Sequence, residues 1–330
     1  MLAEREVLRV LVDKSLEELW TYRPEVAEPA DFDAFWKQQR DAAAAHPLAA
    51  RFAPAPVDLV TVEVLDVTFA GHGGTPVKGW LLLPRDRTDA LPAVVEYVGY
   101  GGGRGLPHER LFWSAAGFAH LVMDTRGQGS SWAVGDTADV GDTGAPAAPG
   151  FLTRGIADPA THYFTRLFVD AARAVDAVRA HPAVDSGRVA VLGGSQGGGL
   201  ALAAAHLAEQ PAAVSSQVPF LAHFRRAVEV TDALPYGELS RYCRTHRDRA
   251  DEVFATLSYL DVVNHARRAQ APALFSVGLA DTVCPPSTVF AAFHAYAGDK
   301  DIRVYPFNEH EGGGAHHVRE ELTFLREVLT

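Results

Sequence analysis

The segment Val191-Leu192-Gly193-Gly194-Ser195-Gln196-Gly197-Gly198-Gly199 decides how this chain folds. It overlaps a short β-branched apolar run, Arg188 to Leu192, and it leads into an alanine- and leucine-rich stretch, Leu200 to Ala208. The pattern predicts a strand, a tight glycine turn with Ser195 at its apex, and a helix. Gly193 and Gly197 let the backbone pass close to its neighbours in such a turn, because they carry no Cβ atom.

A glycine turn of this kind has more than one use. It can bind a phosphate at the helix N-terminus, or simply reverse the chain, or it can be a nucleophile elbow that lifts a serine hydroxyl above the sheet edge. The order of strand, turn and helix around a Gly-x-Ser-x-Gly pattern favours the elbow. Ser195 is therefore the predicted nucleophile, and the amide N–H of Gln196, directly after it, is a predicted oxyanion donor.

Composition and charge argue against several classes of partner. The chain has 330 residues, 48% of them hydrophobic, which is enough for one large core or two small ones, and α/β proteins of this size often stay one domain. Its formal net charge is −11, so no basic surface for nucleic acid or anionic lipid is expected. The two cysteines, Cys243 and Cys284, have no metal-like spacing, so neither a disulfide framework nor a zinc site is predicted. No metal or organic cofactor is expected.

The N-terminal residues favour a cytoplasmic location. Met1 to Leu11 carries Glu4, Arg5 and Glu6 before any apolar run develops, so it lacks the basic start and apolar stretch of a secretory signal. No run of about 18 apolar residues occurs in the sequence, and no transmembrane helix is predicted.

Apolar periodicity predicts an α/β fold. Ser15 to His46 reads as mainly helical, with a break near Pro24 and Pro29 and a second helix that begins with an acidic cap at Asp31. A glycine-loop hairpin and then alternating strands and helices predict a doubly wound, mostly parallel sheet with an antiparallel N-terminal edge. The predicted strands are Leu59–Phe69, Val77–Pro84, Ala93–Val98, Ala119–Met123, Arg188–Leu192, Val214–Val218, Ala273–Val277 and Ile302–Pro306, and the helices among them are Pro107–Ala116, Tyr163–His181, Gln196–Glu209 and Pro286–Ala297.

Two stretches interrupt this alternation. Ser131 to Asp158 is rich in Gly, Ala, Pro and Asp and predicts a long loop. Phe220 to Ala266 lies between two core strands and reads as mainly helical; it is either a cap over the binding site or an ordinary surface insertion, and lids often cover such sites. We therefore predict one domain over residues 1–330, with an N-terminal helical extension at about 1–50 and a cap insertion at about 220–266.

The predicted nucleophile needs a base, and the base needs an acid to orient it. In the α/β-hydrolase fold the chain order is serine, acid, histidine. Asp281 follows the predicted strand Ala273–Val277, and His310 follows the last predicted strand and precedes the final helix. These two residues are the predicted acid and base.

Other residues compete for both roles. Asp261 lies in the predicted cap and Asp301 precedes a strand, so neither is at a strand's carboxyl end. His316 and His317 are the nearest alternative bases, and we expect them within the start of the terminal helix. The glycine run after Glu311 favours His310, because it frees the loop to bring that residue over the serine.

A second oxyanion donor is expected from a loop after an early strand. The loop Tyr97-Val98-Gly99-Tyr100-Gly101-Gly102-Gly103 overlaps the end of the predicted strand Ala93–Val98, and its glycines let amides converge on an anion. The amide of Tyr100 is the predicted donor. Its side chain can be an ordinary packed aromatic at the same time, since the donor is main chain.

Several motifs together resemble carbohydrate esterase family seven, the acetyl xylan esterase and cephalosporin C deacetylase family. They are Gly99–Gly105 (GYGGGRG), Met123–Ser130 (MDTRGQGS), Gly193–Gly199 (GGSQGGG) and His310-Glu311, with further likeness at Val218–Leu221, His223–Val228, Thr256–Tyr259 and Cys284–Thr288. The likeness covers nearly the whole chain. Carried over by position, it implies the same nucleophile, acid, base and oxyanion amides as the reasoning above.

The resemblance also implies a function. The chain is expected to be a cytoplasmic, metal-independent serine esterase, assembled as a homohexamer, that removes acetyl groups from acetylated xylooligosaccharides, cephalosporin C and 7-aminocephalosporanic acid through an acetyl-enzyme. The alternatives are another α/β-hydrolase, such as a longer-chain carboxylesterase or a peptidase, and a non-catalytic binding protein of the same fold.

Some residues depart from the family or lack a defined role. Gly101 stands where similar proteins often have Asn, and Val283 stands where a larger aliphatic residue is expected. Pro235 and Val283 are candidate walls of a short acyl pocket, or else an ordinary loop proline and core valine. Arg126 and Gln128 are expected to support the elbow rather than to take part in the chemistry.

Overall fold

The computed structural model describes residues 12–140 and 146–329, so the expectation for Met1 to Leu11 lies outside the described part. The nine strands of the sheet are β1 Arg51–Pro54, β2 Val62–Ala70, β3 Pro76–Pro84, β4 Leu91–Tyr97, β5 Ala119–Met123, β6 Val184–Gly194, β7 Ala213–Gln217, β8 Ala273–Gly278 and β9 Lys300–Tyr305. The helices are α1 Leu16–Thr21, α2 Phe32–Ala44, α3 Phe112–Ala115, α4 Tyr163–Arg179, α5 Gln196–Leu207, α6 Phe224–Val230, α7 Gly237–Thr245, α8 Ala250–Ser258, α9 Val262–Ala266, α10 Pro286–Ala295 and α11 Gly314–Leu329.

The strands form a single sheet in the order β1-β2-β3-β5-β4-β6-β7-β8-β9. The six strands from β5 to β9 in this order pair in parallel, whereas β1, β2 and β3 pair antiparallel at one edge. The mostly parallel sheet with an antiparallel N-terminal edge, predicted from the sequence, is therefore confirmed. The loops after β6, β8 and β9 lie at the same edge of the sheet, where parallel strands end.

Burial on both faces explains why the central strands are continuous apolar runs. In β6, Val189 and Val191 face the large core that contains α4 and α5. Ala190 and Leu192 face the opposite side, where they pack with Trp113 and with residues of α11. A parallel strand covered by helices on both faces must be apolar at successive positions, and this makes it recognisable in the sequence.

Most predicted elements match the observed ones to within a few residues, but two expectations near the surface are wrong. The stretch Pro107–Ala116 is a short 3-10 turn followed by α3 instead of one helix, and the carbonyl of Arg110 between them accepts a hydrogen bond from His120 on β5. Asp31 occupies the N-cap position of α2 but its side chain does not cap the helix. Its carboxylate accepts a hydrogen bond of 2.6 Å from the Tyr259 hydroxyl instead.

The two interrupting stretches have the expected local structure. The segment between β7 and β8 contains four helices, α6 to α9, and the described parts of 131–158 contain neither helix nor strand. His316 and His317 lie in the first turn of α11, as expected. Across residues 12–140 and 146–329, no helix is long and apolar enough to cross a membrane.

The buried carboxyl group of Glu321 on α11 predicts a pH-dependent stability. Glu321 is 1% exposed, and the Ser215 hydroxyl donates a hydrogen bond of 2.5 Å to its Oε1. Burial raises the pKa of Glu321 from 4.5 to about 7. The native state therefore binds more protons than the unfolded state between these values, and the free energy of unfolding falls as pH rises through this window.

A Glu321→Gln variant should lose this contribution. We expect its free energy of unfolding, measured by urea denaturation from pH 4.5 to 8, to fall less steeply with pH than that of the unmodified chain. Glu327→Gln, an exposed position on the same helix, is the control and should leave the slope unchanged. Parallel profiles for the original chain and Glu321→Gln would contradict the assignment.

Candidate active site

Ser195 lies on a strained turn between β6 and α5. Its backbone has φ 57° and ψ −119°, a conformation that non-glycine residues rarely adopt. Its amide donates to the carbonyl of Gln217 at 2.9 Å, and its carbonyl accepts from Phe220 at 3.0 Å. A Cβ atom on Gly197 would lie only 2.1 Å from the carbonyl oxygen of Tyr97, so the turn requires glycine there. The surrounding backbone thus holds the strained serine.

Asp281 and His310 form a hydrogen-bonded pair. His310 Nδ1 and Asp281 Oδ2 are 2.9 Å apart, and the Asp281 carboxylate is fully buried in the loop after β8. Its Oδ1 accepts the amides of Val283 at 2.8 Å and Cys284 at 2.9 Å. The His310 side chain, from the loop after β9, is 33% exposed and lines the same pocket as Ser195.

The rival residues are occupied elsewhere. Asp261 caps α9 and accepts hydrogen bonds from the amides of His223 and Phe224 at the start of α6. Asp301 pairs with Arg303 on its own strand. His317 is buried against the Tyr305 hydroxyl, 3.1 Å from its Nδ1. Asp281 is thus the acid that the structure brings to His310.

Two amides are available next to the serine. Among the described residues, the N–H groups of Tyr100 and Gln196 donate to no protein acceptor. Gln128 ties their loops together: its Oε1 accepts the Gly101 amide at 2.6 Å, and its Nε2 donates to Gln196 Oε1 at 2.8 Å. Gly101 has φ 81°, a left-handed conformation that favours glycine, and a Cβ atom there would lie only 2.7 Å from Ser131 Oγ.

Arg126, the other residue without a defined role, lies beneath this site. Its guanidinium forms a buried ion pair with Asp170 on α4, with Nε 2.5 Å from Oδ2. The carbonyl of Arg126 accepts a hydrogen bond of 2.6 Å from Tyr163, whose hydroxyl oxygen also accepts from Gln128 at 3.0 Å. Arg126 and Gln128 are thus connected through the Tyr163 hydroxyl and support the loops of the site.

One pocket of about 500 Å³ opens over the serine. The predicted pocket residues Tyr100, Pro235 and Val283 all line it. Sequence reasoning missed the other five, Gly99, Ser131, Trp132, Leu234 and Glu238. The last two lie near Pro235 in the insertion, but no periodicity indicated which way their side chains point. The lining consists of Gly99, Tyr100, Ser131, Trp132, Ser195, Leu234, Pro235, Glu238, Val283 and His310.

A thiol also lies beside the serine. Cys284 is fully buried, and its side chain lies near the Ser195 hydroxyl. Burial and the nearby Asp281 carboxylate raise the pKa of this thiol, which favours the neutral form. Within the described residues, no group of three or more His, Cys, Asp or Glu side chains is arranged to hold a metal ion.

A serine hydroxyl, a carboxylate-paired imidazole and two unpaired amides at one pocket are the parts required for acyl transfer. With the mostly parallel sheet and the serine turn after β6, they define an α/β-hydrolase. The chain belongs to the acetyl xylan esterase (AXE1) family, whose sequence model matches residues 10–328. The family resemblance noted in the sequence is therefore confirmed, and the family is one of carboxylic ester hydrolases.

Known proteins agree with this membership. The structure is similar to an acetyl xylan esterase from Paenibacillus sp. R4, with 39% identity over 96% of this chain and 100% of that one and a TM-score of 0.91. It is also similar to acetyl xylan esterase 1 from Thermoanaerobacterium sp. JW/SL YS485, with 33% identity, the same coverage and a TM-score of 0.90. The acetyl esterase Axe7A of Xylanibacter ruminicola is 29% identical over 300 residues, which are 87% of this chain and 65% of that protein. The aligned region thus spans slightly less than two thirds of this curated relative.

Proposed function

We propose that the protein is a serine esterase that removes acetyl groups from small acetylated substrates, namely acetylated xylooligosaccharides and cephalosporin C or 7-aminocephalosporanic acid. The observation that carries the proposal is the pocket shared by Ser195 and the Asp281-paired His310, with Pro235 and Val283 in its wall. Membership of the acetyl xylan esterase family supports the choice of acetyl esters.

The mechanism that we propose has two halves. Ser195 Oγ attacks the acetyl carbonyl carbon while His310 Nε2 accepts the hydroxyl proton, and the amides of Tyr100 and Gln196 stabilise the oxyanion. The tetrahedral intermediate then collapses, the carbon–oxygen bond to the sugar breaks, and the imidazolium gives its proton to the leaving alkoxide. Water, deprotonated by His310, attacks the acetyl-enzyme, and collapse releases acetate and returns the proton to Ser195.

Asp281 has an electrostatic role in both halves. Its charge stabilises the imidazolium, and its hydrogen bond holds the tautomer of His310 in which Nε2 faces the serine. The Val283 and Cys284 amides keep the carboxylate in place without competing for the oxygen that His310 uses. All of these groups come from this chain, and no step uses a metal or an organic cofactor.

The proposal also concerns partners and location. The family resemblance supports a homohexamer in the cytoplasm, with no nucleic-acid or membrane partner. Polymeric xylan does not enter cells, so imported acetylated oligosaccharides are the natural substrates that this location favours.

Acetate release tests the proposal directly. The purified protein should liberate acetate from 7-aminocephalosporanic acid and from acetylated xylooligosaccharides, followed with a coupled acetate assay. Its kcat/KM on p-nitrophenyl esters should fall steeply from acetyl to butyryl, because a short pocket excludes longer acyl groups.

Other outcomes identify the rival functions. Hydrolysis that rises with acyl length would indicate a longer-chain carboxylesterase, and cleavage of peptide substrates alone would indicate a peptidase. No hydrolysis of any ester, together with no labelling of Ser195 by a fluorophosphonate, would indicate a non-catalytic binding protein.

A further inference from the structure

The pocket contains one carboxyl group that the mechanism does not use, that of Glu238. We infer that Glu238 is a positioning residue for the oxyanion donor: it anchors the side chain of Tyr100 and thereby holds the Tyr100 amide toward the reacting carbonyl. This inference rests on the proposed function and deepens it, since Tyr100 is one of the two donors proposed there.

Glu238 lies in the first turn of α7, within the insertion, and only 2% of it is exposed. A carboxyl group in such a place is costly unless its oxygens find donors. Both oxygens have them. The Tyr100 hydroxyl donates to Oε1 at 2.5 Å, and the amide of Leu152 donates to Oε2 at 2.8 Å.

The hydroxyl of Tyr100 is fixed from a second side. The amide of Phe151 donates to this oxygen at 2.6 Å, so the hydroxyl accepts one hydrogen bond and donates another. Three separate segments of chain therefore meet at the Tyr100–Glu238 pair: the loop after β4, the long loop after β5, and the insertion. The first two are irregular at this point, the third is the start of α7, and the pair links all three.

The main chain of Tyr100 is held independently. Its carbonyl accepts a hydrogen bond of 2.9 Å from the indole Nε1 of Trp132. The Tyr100 amide shares its peptide plane with the Gly99 carbonyl, which accepts a hydrogen bond of 3.1 Å from the Gly102 amide, so rotation of this plane would break that bond. The amide is the part of the residue left without a protein partner, and it remains available to an oxyanion.

The protonation states fit an anchoring role. Burial and the nearby Glu238 carboxylate raise the pKa of Tyr100, so the phenol keeps its proton and donates. Burial also raises the pKa of Glu238, whereas its hydrogen bonds from Tyr100 and Leu152 act in the opposite direction. Among the described residues, neither Tyr100 nor Glu238 forms a hydrogen bond with His310 or Asp281, so neither has a part in proton transfer.

Tyr100→Phe, Glu238→Gln and the double variant test the inference. We expect each single variant to lower kcat/KM for p-nitrophenyl acetate by about 10- to 100-fold, less than the complete loss of an oxyanion donor. The Ki of an unreactive ether analogue should stay within about twofold, because ground-state binding does not use the oxyanion donor. The kcat/KM of the double variant should be no more than about threefold below that of the less active single variant, because both changes remove the same bond.

A matched control separates this effect from the general loss of a tyrosine–carboxylate bond. Tyr259 donates to Asp31 at 2.6 Å, and neither residue is among those that line the pocket, so Tyr259→Phe should keep full activity. The rate of Ser195 phosphonylation by a fluorophosphonate gives a second readout, because that reaction also develops charge on an oxygen. It should slow in parallel with kcat/KM in the Tyr100 and Glu238 variants.

Three results would overturn the inference. The first is a kcat/KM of the single variants within about threefold of that of the unmodified chain, and the second is a loss of kcat/KM that matches the loss of folded protein measured by circular dichroism. The third is a double variant whose fold-loss in kcat/KM is the product of the two single losses. Tyr100→Phe keeps the test decisive if Glu238→Gln fails to fold, since it leaves the ring in place. An unmodified chain that hydrolyses no ester would instead refute the proposed function.

Discussion

Replacing Ser195 with alanine is expected to lower kcat for acetate release by about 10⁶-fold, close to the full contribution of the catalytic triad in a serine hydrolase. The loss follows from the geometry, because Ser195 is the hydroxyl at the apex of the strained turn and shares the pocket with His310. Without Oγ no acetyl-enzyme forms, and the two amides and the base can only assist direct attack by water.

The measurement is acetate release from 7-aminocephalosporanic acid with both proteins side by side. Ser258→Ala is the control, because that hydroxyl only donates to the carbonyl of Ala255 within α8. Labelling by a fluorophosphonate should disappear in Ser195→Ala and persist in the control. A Ser195→Ala protein that keeps more than about one hundredth of the activity would show that another residue supplies the nucleophile.

Asp281→Asn should lower kcat by about 10⁴-fold while the protein stays folded. The amides of Val283 and Cys284 donate to Oδ1, so an asparagine keeps its oxygen in that position. Its NH₂ group then points at His310 Nδ1, where the carboxylate oxygen Oδ2 lies. The imidazole must accept at Nδ1 and carry its proton on Nε2, which leaves no base for the serine hydroxyl.

Asp301→Asn provides the comparison, because this carboxylate pairs with an exposed Arg303 instead of a histidine. It should retain activity within about twofold. Thermal unfolding of both variants would show whether Asp281→Asn stays folded, in which case its lower activity is a loss of catalytic rate and not of folded protein. If its kcat falls by less than tenfold, another group must orient His310, and the buried carboxylate serves the fold alone.

The central architecture was predictable because burial leaves a pattern in the sequence. The run Val189 to Leu192 is apolar at successive positions because both faces of β6 are covered. The same rule failed for β1, Arg51–Pro54, which is a short and mostly exposed edge strand defined only by its pairing with β2. Propensity also failed at Pro107–Ala116, where a tertiary hydrogen bond to the Arg110 carbonyl interrupts the helix.

The candidate site also contains residues that the sequence predicted and residues that it did not. Ser195, Asp281 and His310 follow strands, so chain order and strand ends were enough to propose them. Trp132 and Glu238 lie in the long loop and the insertion, respectively, where no hydrophobic periodicity indicates which way a side chain points. Their orientation depends on contacts between distant segments, such as the bond from Glu238 to the Leu152 amide, and these contacts leave no local signal in the sequence.

The position of His310 after an edge strand has a consequence for how such an enzyme fails under stress. In the described part of the chain, β9 pairs only with β8, whereas the serine follows β6 in the middle of the sheet. Local unfolding of β9 displaces His310 from the serine while the central strands stay paired. Such local unfolding needs less free energy than global unfolding. Inactivation on warming would then begin below the melting temperature and reverse on cooling, with most of the native structure intact throughout.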